Sequence, residues 1–263
     1  MHLVVCIKQV PDTKNVRMDP DTHTLVRQGV ESIVNPFDLF AVEAALQIKD
    51  RLNARVTALT MGPPQAEEAL REVLSRGVDD AVLLSDRAFA GSDTWATSTA
   101  LSAGIRGIGA VDLILCGKQA IDGDTAQVGP EVATILDIPY ATFVKKIEVL
   151  DSPAIKVTRQ TDEGMEIWKL PTPALLTVIK EVGEPRLPSL RHKMRAKKAP
   201  IPIWGVKELG LDPDDVGLCG SFTQVVRVFS PPRRGNRVML QGSVEEQVEQ
   251  LYHRLKEARV PGI

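Results

Sequence analysis

Val111-Asp-Leu-Ile-Leu-Cys-Gly117-Lys-Gln-Ala-Ile-Asp122-Gly-Asp-Thr-Ala-Gln-Val-Gly-Pro130 passes from an apolar run to a polar loop with two flexible glycines, then into residues that open a helix. Val111–Cys116 reads as a short buried strand, and the helix is expected to begin near Thr125–Gly129. Strand, loop and helix in this order form the unit from which parallel sheets are wound. The loop carries Asp122, Asp124, Thr125 and Gln127, more polar groups than a turn requires. A helix N-terminus with free backbone N–H groups is a ready anion site. The segment reads equally as a tight strand–helix connection with no ligand.

Upstream the same unit repeats. Leu3–Ile7, Val56–Met61 and Ala81–Leu84 are short apolar strands. Helices are expected from Asn35-Pro-Phe-Asp38, over Gln65–Arg76, and from about Asp93 to Ile105. Asn35 suits a helix cap, Pro36 the first helical position, and Asp38 the positive helix end. Residues 11–30 hold two weak strand patterns around Asp19-Pro-Asp21, a hairpin or excursion. After Pro139 the pattern changes to a hairpin series, Thr142–Leu150, Ile155–Gln160, Met165–Leu170 and Ala174–Lys180, expected as antiparallel additions to the sheet. From Glu181 the chain is rich in Pro, Arg and Lys, without a core pattern until an amphipathic helix at Val244–Lys256. The expected fold is α/β: a Rossmann-like parallel sheet with helices on both faces, antiparallel strand additions and an extended C-terminal arm.

Composition excludes several function classes. A formal net charge of -2 and only 4% aromatic residues argue against a nucleic-acid binder. Cys6, Cys116 and Cys219, like the four histidines, are scattered without metal-ligand spacing, and the free cysteines fit a reducing compartment. No apolar run approaches the roughly 18 residues of a membrane span, and the N-terminus lacks the features of a signal peptide. The reading is of a soluble, cytoplasmic protein. Gly104, Gly107 and Gly109 follow a helix instead of a strand, so they are not a dinucleotide fingerprint; a P-loop and a nucleophile elbow are missing too. Asp122 and Asp124 alone are weak evidence for acid–base or metal chemistry.

In open parallel sheets ligands bind beyond the carboxyl ends of the strands, here residues 8–11, 61–64, 85–94 and 117–130. Gly62 and its prolines let backbone approach a planar group. Ser92, Asp93 and Thr94 place polar side chains at a helix start, where their first reading is a cap. Arg191-His-Lys-Met-Arg-Ala-Lys-Lys198 has six basic or histidine residues of eight and is either a solvated face or a docking surface. Leu190 and Met194 among those charges suit a protein partner.

Val4-Val-Cys-Ile-Lys-Gln-Val-Pro-Asp12, Asn35-Pro-Phe-Asp38, Met61-Gly-Pro-Pro-Gln65, Gly117–Pro130, and Glu184-Pro-Arg186 with Met194-Arg-Ala-Lys-Lys198 together resemble the β (small) subunit of electron-transfer flavoproteins. The likeness runs in order over nearly the whole chain and is greatest to the electron-bifurcating branch. It implies a heterodimer with a larger α subunit that carries FAD. The β site then holds either a structural AMP or, in the bifurcating branch, a second FAD that accepts hydride from NADH. Electrons would pass towards ferredoxin or flavodoxin and towards an acyl-CoA dehydrogenase or another acceptor. Small residues at Gly123 and Ala126, and the stretch Asp86–Thr97, point to FAD.

The same resemblance implies cofactor contacts from Cys6, Asn35, Pro36, Phe37, Asp38, Met61, Gly117, Gln119, Ala120, Ile121, Asp122, Gly123, Asp124, Thr125, Ala126, Gln127 and Val128, chiefly Asp122 and Thr125–Val128. Ser92–Thr97, with Thr94 and Thr97, would lie near the flavin or the path of NADH. Leu190 falls at the anchoring leucine of the family's partner-recognition loop. Residues 1–180 are then the nucleotide-binding domain, 181–205 a partner-recognition segment, and 206–263 an arm and helix against the α subunit. No side-chain nucleophile and no metal are implied, and redox catalysis is expected only within the complex. A non-bifurcating carrier with AMP, or a nucleotide-binding regulatory module without redox role, are the alternatives.

Overall fold

A computed structural model describes residues 1–12, 17–18, 25–26, 31–149, 153–226 and 238–260. The chain forms two compact units, Met1–Val226 and Arg227–Ile263.

The first unit is wound on β1 (His2–Cys6), whose residues Leu3, Val4, Val5 and Cys6 are all buried because helices cover both sides of the sheet. Two small antiparallel pairs follow: β2 (Gln9–Pro11) with β5 (Ser32–Val34), and β3 (Arg17–Met18) with β4 (Leu25–Val26). The expected Asp19-Pro-Asp21 turn lies outside the described residues. Then come α1 (Pro36–Leu52), β6 (Arg55–Met61), α2 (Glu67–Arg76), β7 (Asp80–Leu84), α3 (Thr94–Ile108), β8 (Leu113–Gly117) and α4 (Val128–Leu136).

The hairpin series resolves into β9 (Tyr140–Val149), β10 (Ala154–Gln160), β11 (Met165–Pro171) and β12 (Ala174–Val178). Three further elements complete the unit: α5 (Leu190–Lys198), β13 (Ile203–Trp204) and α6 (Val206–Leu209).

The strands join in one nine-stranded sheet, ordered β11-β10-β9-β12-β8-β1-β6-β7-β13. Seven of them, β9 through β13 in that order, run parallel. Only the β9–β10 and β10–β11 pairings are antiparallel, at one edge. One expectation is corrected here. Ala174–Lys180 is not an antiparallel addition: β12 inserts between β9 and β8, parallel to both. All five of its residues are buried, as a strand covered on both faces requires.

Strand alternation divides the core in two. Leu3, Val5, Leu113, Leu115 and Leu176 face α1 and α2, packing on Ala41, Ala45, Leu70 and Val73. Val4, Cys6, Ile114, Cys116 and Leu175 face the opposite side and meet Leu101 and Ile105 of α3 and Val132 of α4. Beyond β12 the chain is held on this unit by apolar side chains, Ala196 in one core half and Val206 and Val216 in the other, and by polar contacts. Arg186 hydrogen-bonds both carboxylate oxygens of the buried Glu43 on α1, at 2.8 Å and 3.0 Å. Arg71 of α2 donates to the Ala196 carbonyl of α5 at 2.6 Å.

In the second unit the main element is α7 (Val244–Glu257), started by a reciprocal cap between Ser243 and Glu246. None of its residues is buried, and Val244, Val248, Leu251 and Tyr252 lie exposed at helical spacing. Among the described residues no helix is long and apolar enough to cross a membrane.

Candidate functional site

The chain winds from β1 outward to β6 and β7, then returns through α3 to place β8 on the other side of β1. Neighbouring loops therefore diverge at the carboxyl ends of β1 and β8, and a crevice opens there, as at the switch point of any doubly wound sheet. A cavity of about 680 Å³ fills it, within the size range of small-molecule sites. Its floor is Cys6 and Cys116, and its sides come from the ends of β6 and β8, the first turns of α3 and α4, and residues 223–225.

Two side chains at the start of α1 hold this crevice together. Asn35 occupies the cap position, but its side chain does not cap the helix. It is buried and turned to the loop after β8, donating to the Gln119 carbonyl at 2.8 Å and accepting from the Ile121 N–H at 3.2 Å. Asp38 is buried too, and does more than complement the helix end. Its two oxygens accept the Lys8 N–H at 2.8 Å, from just past β1, and the Gly117 N–H at 3.2 Å, from the last residue of β8. Burial pushes the Asp38 carboxyl up to about 7, against the opposing hydrogen bonds from Asn35, Lys8 and Gly117. Gly117 must lack a side chain, since a Cβ there would stand 2.6 Å from the Phe37 carbonyl carbon and 2.8 Å from the Asp38 nitrogen.

From this anchor the loop runs to α4 through two non-glycine residues of positive φ, Asp124 (55°) and Ala126 (56°). Such geometry in a residue with a Cβ is uncommon and collects at ligand sites. Ala126 is followed by Gln127 with right-handed angles, φ -95° and ψ -36°. Left- and right-handed residues in succession turn consecutive N–H groups to one side, forming a concavity for an anion. Gln127 does not cap α4 with its side chain, and the N–H groups of Ala126, Gln127 and Val128 have no acceptor among the described residues. Gly129 lets this first turn lie close on the sheet, where a Cβ would be 2.6 Å from the Thr177 methyl and 3.9 Å from the Cys116 Cβ. Two lysines line the same cavity. Lys8 pairs with both oxygens of Asp122 at 2.7 and 2.8 Å, and Lys118 stands 4.7 Å over the Phe37 ring.

The opposite wall is the β7–α3 loop with residues 217–225 laid against it. Asp93 caps α3 through the Ala96 N–H at 3.0 Å and also accepts the Thr223 N–H and hydroxyl at 2.9 and 3.0 Å. Burial opposes the Asp93 carboxylate, but these hydrogen bonds outweigh it and hold the pKa below the usual range. In return the Asp93 N–H donates to the Ser221 hydroxyl at 2.8 Å, and the Gly217 N–H to that of Ser92 at 3.1 Å. Thr94 and Ser98 bind the two carboxylate oxygens of Glu131, at 3.0 and 2.9 Å, tying α3 to α4.

Of the residues expected at a cofactor, Cys6, Asp38, Met61, Thr94, Thr97, Gly117, Gln119, Ala120, Gly123, Thr125, Ala126, Gln127 and Val128 line the cavity. Asn35, Pro36, Phe37, Ile121, Asp122 and Asp124 are outside its lining. Asp122 is occupied by Lys8 at the rim, and Asp124 accepts from the Gln119 side chain. Lys8 and Lys118 fall within the expected ligand loops 8–11 and 117–130 without being singled out, whereas Leu101 and the 223–225 wall were missed. Lys8 was within reach, because alternation from Cys6 carries it to the same side just past the strand end. The wall has no local signal. Leu190 and Met194 lie one helical turn apart on α5, 76% and 62% exposed, away from the cavity. Among the described residues no three His, Cys, Asp or Glu side chains come together as a metal site.

The electron transfer flavoprotein domain model matches residues 22–209. The caffeyl-CoA reductase-Etf complex subunit CarD of Acetobacterium woodii is 50% identical over 99% of this chain and 100% of its own length. The electron transfer flavoprotein subunit beta of Thermoanaerobacterium thermosaccharolyticum is 46% identical, over 99% and 100%. Protein FixA of Bradyrhizobium diazoefficiens is also 46% identical, over 95% and 90%. Sequence likeness of this extent, end to end, settles what the crevice left open: the chain belongs to the electron transfer flavoprotein family, as a β subunit.

Proposed function

We propose that this β subunit, paired with an α subunit, holds FAD in the β1–β8 crevice and passes electrons from NADH by flavin-based bifurcation. The observation that carries the reading is the N-terminus of α4, where the N–H groups of Ala126, Gln127 and Val128 have no partner among the described residues, beside a cavity lined by Lys8 and Lys118. That donor set fits a pyrophosphate, which needs several N–H groups and nearby positive charge. From there the cavity continues to Thr94, Thr97 and residues 223–225, leaving room beyond a mononucleotide. Gly123 supports the larger ligand, since it lines the cavity and a side chain there would enter free space. The likeness to a subunit of a caffeyl-CoA reductase-Etf complex agrees with a role inside a larger redox assembly.

Bound FAD supplies hydride acceptance and one-electron delivery; the residues of this chain bind, orient and shield it. Asn35 and Asp38 fix the loop so that its donors need no rearrangement when an anion arrives. Gln127, whose side-chain oxygen is 3.3 Å from the Thr94 hydroxyl, is placed to adjust the flavin's hydrogen bonding. Residues 223–225 bound the cavity on that side. Leu190 and Met194 present an apolar pair to a redox partner, ferredoxin or flavodoxin and an acyl-CoA dehydrogenase-like protein being the classes expected, and the apolar stripe of α7 is offered to the α subunit.

Nucleotide analysis of the purified heterodimer tests the assignment. Two FAD per heterodimer with bleaching by NADH is the expected result. One FAD with one AMP overturns FAD in favour of structural AMP, and absence of flavin overturns both. Gln127→Ala is expected to alter flavin content or its reduction by NADH; unchanged values for both would remove Gln127 from the site.

A further inference from the structure

Cys6 and Cys116 are register partners on the adjacent parallel strands β1 and β8. Both side chains turn to the same face of the sheet, both are free, and both lie on the cavity floor, 7% and 8% exposed. Neighbouring strands lie about 4.8 Å apart, and a disulfide accepts Cα separations of roughly 4.4–6.8 Å. The neighbouring Cys6 thiol, then burial, then the nearby Asp38 carboxyl push the Cys116 thiol well up. A thiol held in that way is protonated and unreactive on its own. Its paired neighbour changes the outcome, because a mixed disulfide on either sulfur is at once within reach of the other.

We propose that Cys6 and Cys116 form a vicinal dithiol that low-molecular-weight disulfides convert reversibly to an intramolecular disulfide at the cavity floor. In the first step one cysteine sulfur, giving up its proton, attacks the small disulfide RSSR and expels RS⁻, which takes up that proton. In the second, the remaining cysteine attacks the mixed disulfide and expels a second RSH. Two protein S–H bonds are lost, one protein S–S bond forms, and RSSR is reduced to two RSH. The entry route is the cavity itself, so a molecule seated there shields the pair. Shielding rests on the nucleotide reading above, whereas the dithiol chemistry does not.

The test uses the full chain with its α subunit, stripped of nucleotide, and hydroxyethyl disulfide as the probe. Peptides are mapped without reduction. Cys219, exposed and distant in sequence, is the internal control for reagent access. The expected product links the peptide carrying Cys6 to that carrying Cys116, reverts with dithiothreitol and is lost in Cys6→Ser. The proposal is overturned if Cys219 reacts fully while Cys6 and Cys116 stay as free thiols or stop at unlinked mixed disulfides. Repetition with saturating FAD separates the two readings. Linkage slowed at least tenfold supports shielding; linkage at an unchanged rate leaves the dithiol standing and overturns the placement of FAD over it.

Discussion

Two helices, α3 and α4, begin at the same end of the sheet and point their N-termini towards one cavity. They are finished in opposite ways. The first turn of α3 has a side-chain cap from its own loop: Asp93 takes the Ala96 N–H and binds Thr223. The first turn of α4 has no side-chain cap, and its loop is held from below by Asn35 and Asp38. Polar side chains thus serve the fold at one terminus, whereas at the other they stabilise a backbone whose donors stay open. A helix N-terminus is an anion site only when nothing in the protein has already used it.

This contrast can be broken most severely at Asp38. Its carboxyl is raised to about 7 in the folded chain, against about 3.9 when unfolded. Between those values the folded state holds a proton that the unfolded state releases. Stability from this group is therefore full below about pH 4, falls as pH rises, and levels off above 7, by at most about 4 kcal/mol. Denaturation from pH 4 to 8 should show that decline in wild type relative to Asp38→Asn; parallel curves would contradict it. Gly117→Ala comes next, since its Cβ would press on backbone of Phe37 and Asp38, at about 3 kcal/mol by denaturant titration. Asn35→Ala leaves the Gln119 carbonyl and Ile121 N–H without their partner. It should cost about 2 kcal/mol and lower nucleotide affinity at least tenfold by equilibrium dialysis.

The α3 terminus sharpens the comparison from the other side. Asp93→Ala removes a cap and should cost about 1 kcal/mol, with a smaller change in nucleotide affinity than Asn35→Ala. An affinity loss as large would mean that the two termini do not differ in role. The smallest effect is expected for Asp122→Ala, because the Lys8 pair is exposed, 48% and 31%. Its stability change should stay under about 1 kcal/mol.

The central strands and the 117–130 loop were legible because burial on both faces writes itself as short apolar runs, and a strand–loop–helix unit is local. What Asn35 does was not. Its position before Pro36 marks a helix start, yet its side chain answers to a loop more than eighty residues later. Residues 181–205 read as a partner segment and 206–263 as an arm because their apolar contacts are scattered: Ala196, Val206 and Val216 reach the core singly, among Pro, Arg and Lys, and leave no apolar period. β13 has only two residues, too few for any pattern. The insertion of β12 was hidden for a different reason, since its apolar run is the same whether its neighbours are parallel or antiparallel.

The two edges of the sheet have unequal consequences for solubility. β13 ends one edge after two residues and offers little backbone to a newcomer. β11 ends the other with seven residues, and Met165, Ile167 and Trp168 are exposed along it. A strand of that length with a free side is a template on which another chain can add. Glu166 and Lys169 are the charges that oppose it. An isolated preparation of this subunit is therefore expected to lose monomer first through β11 as concentration rises, and Ile167→Lys to extend the concentration range over which it stays dispersed.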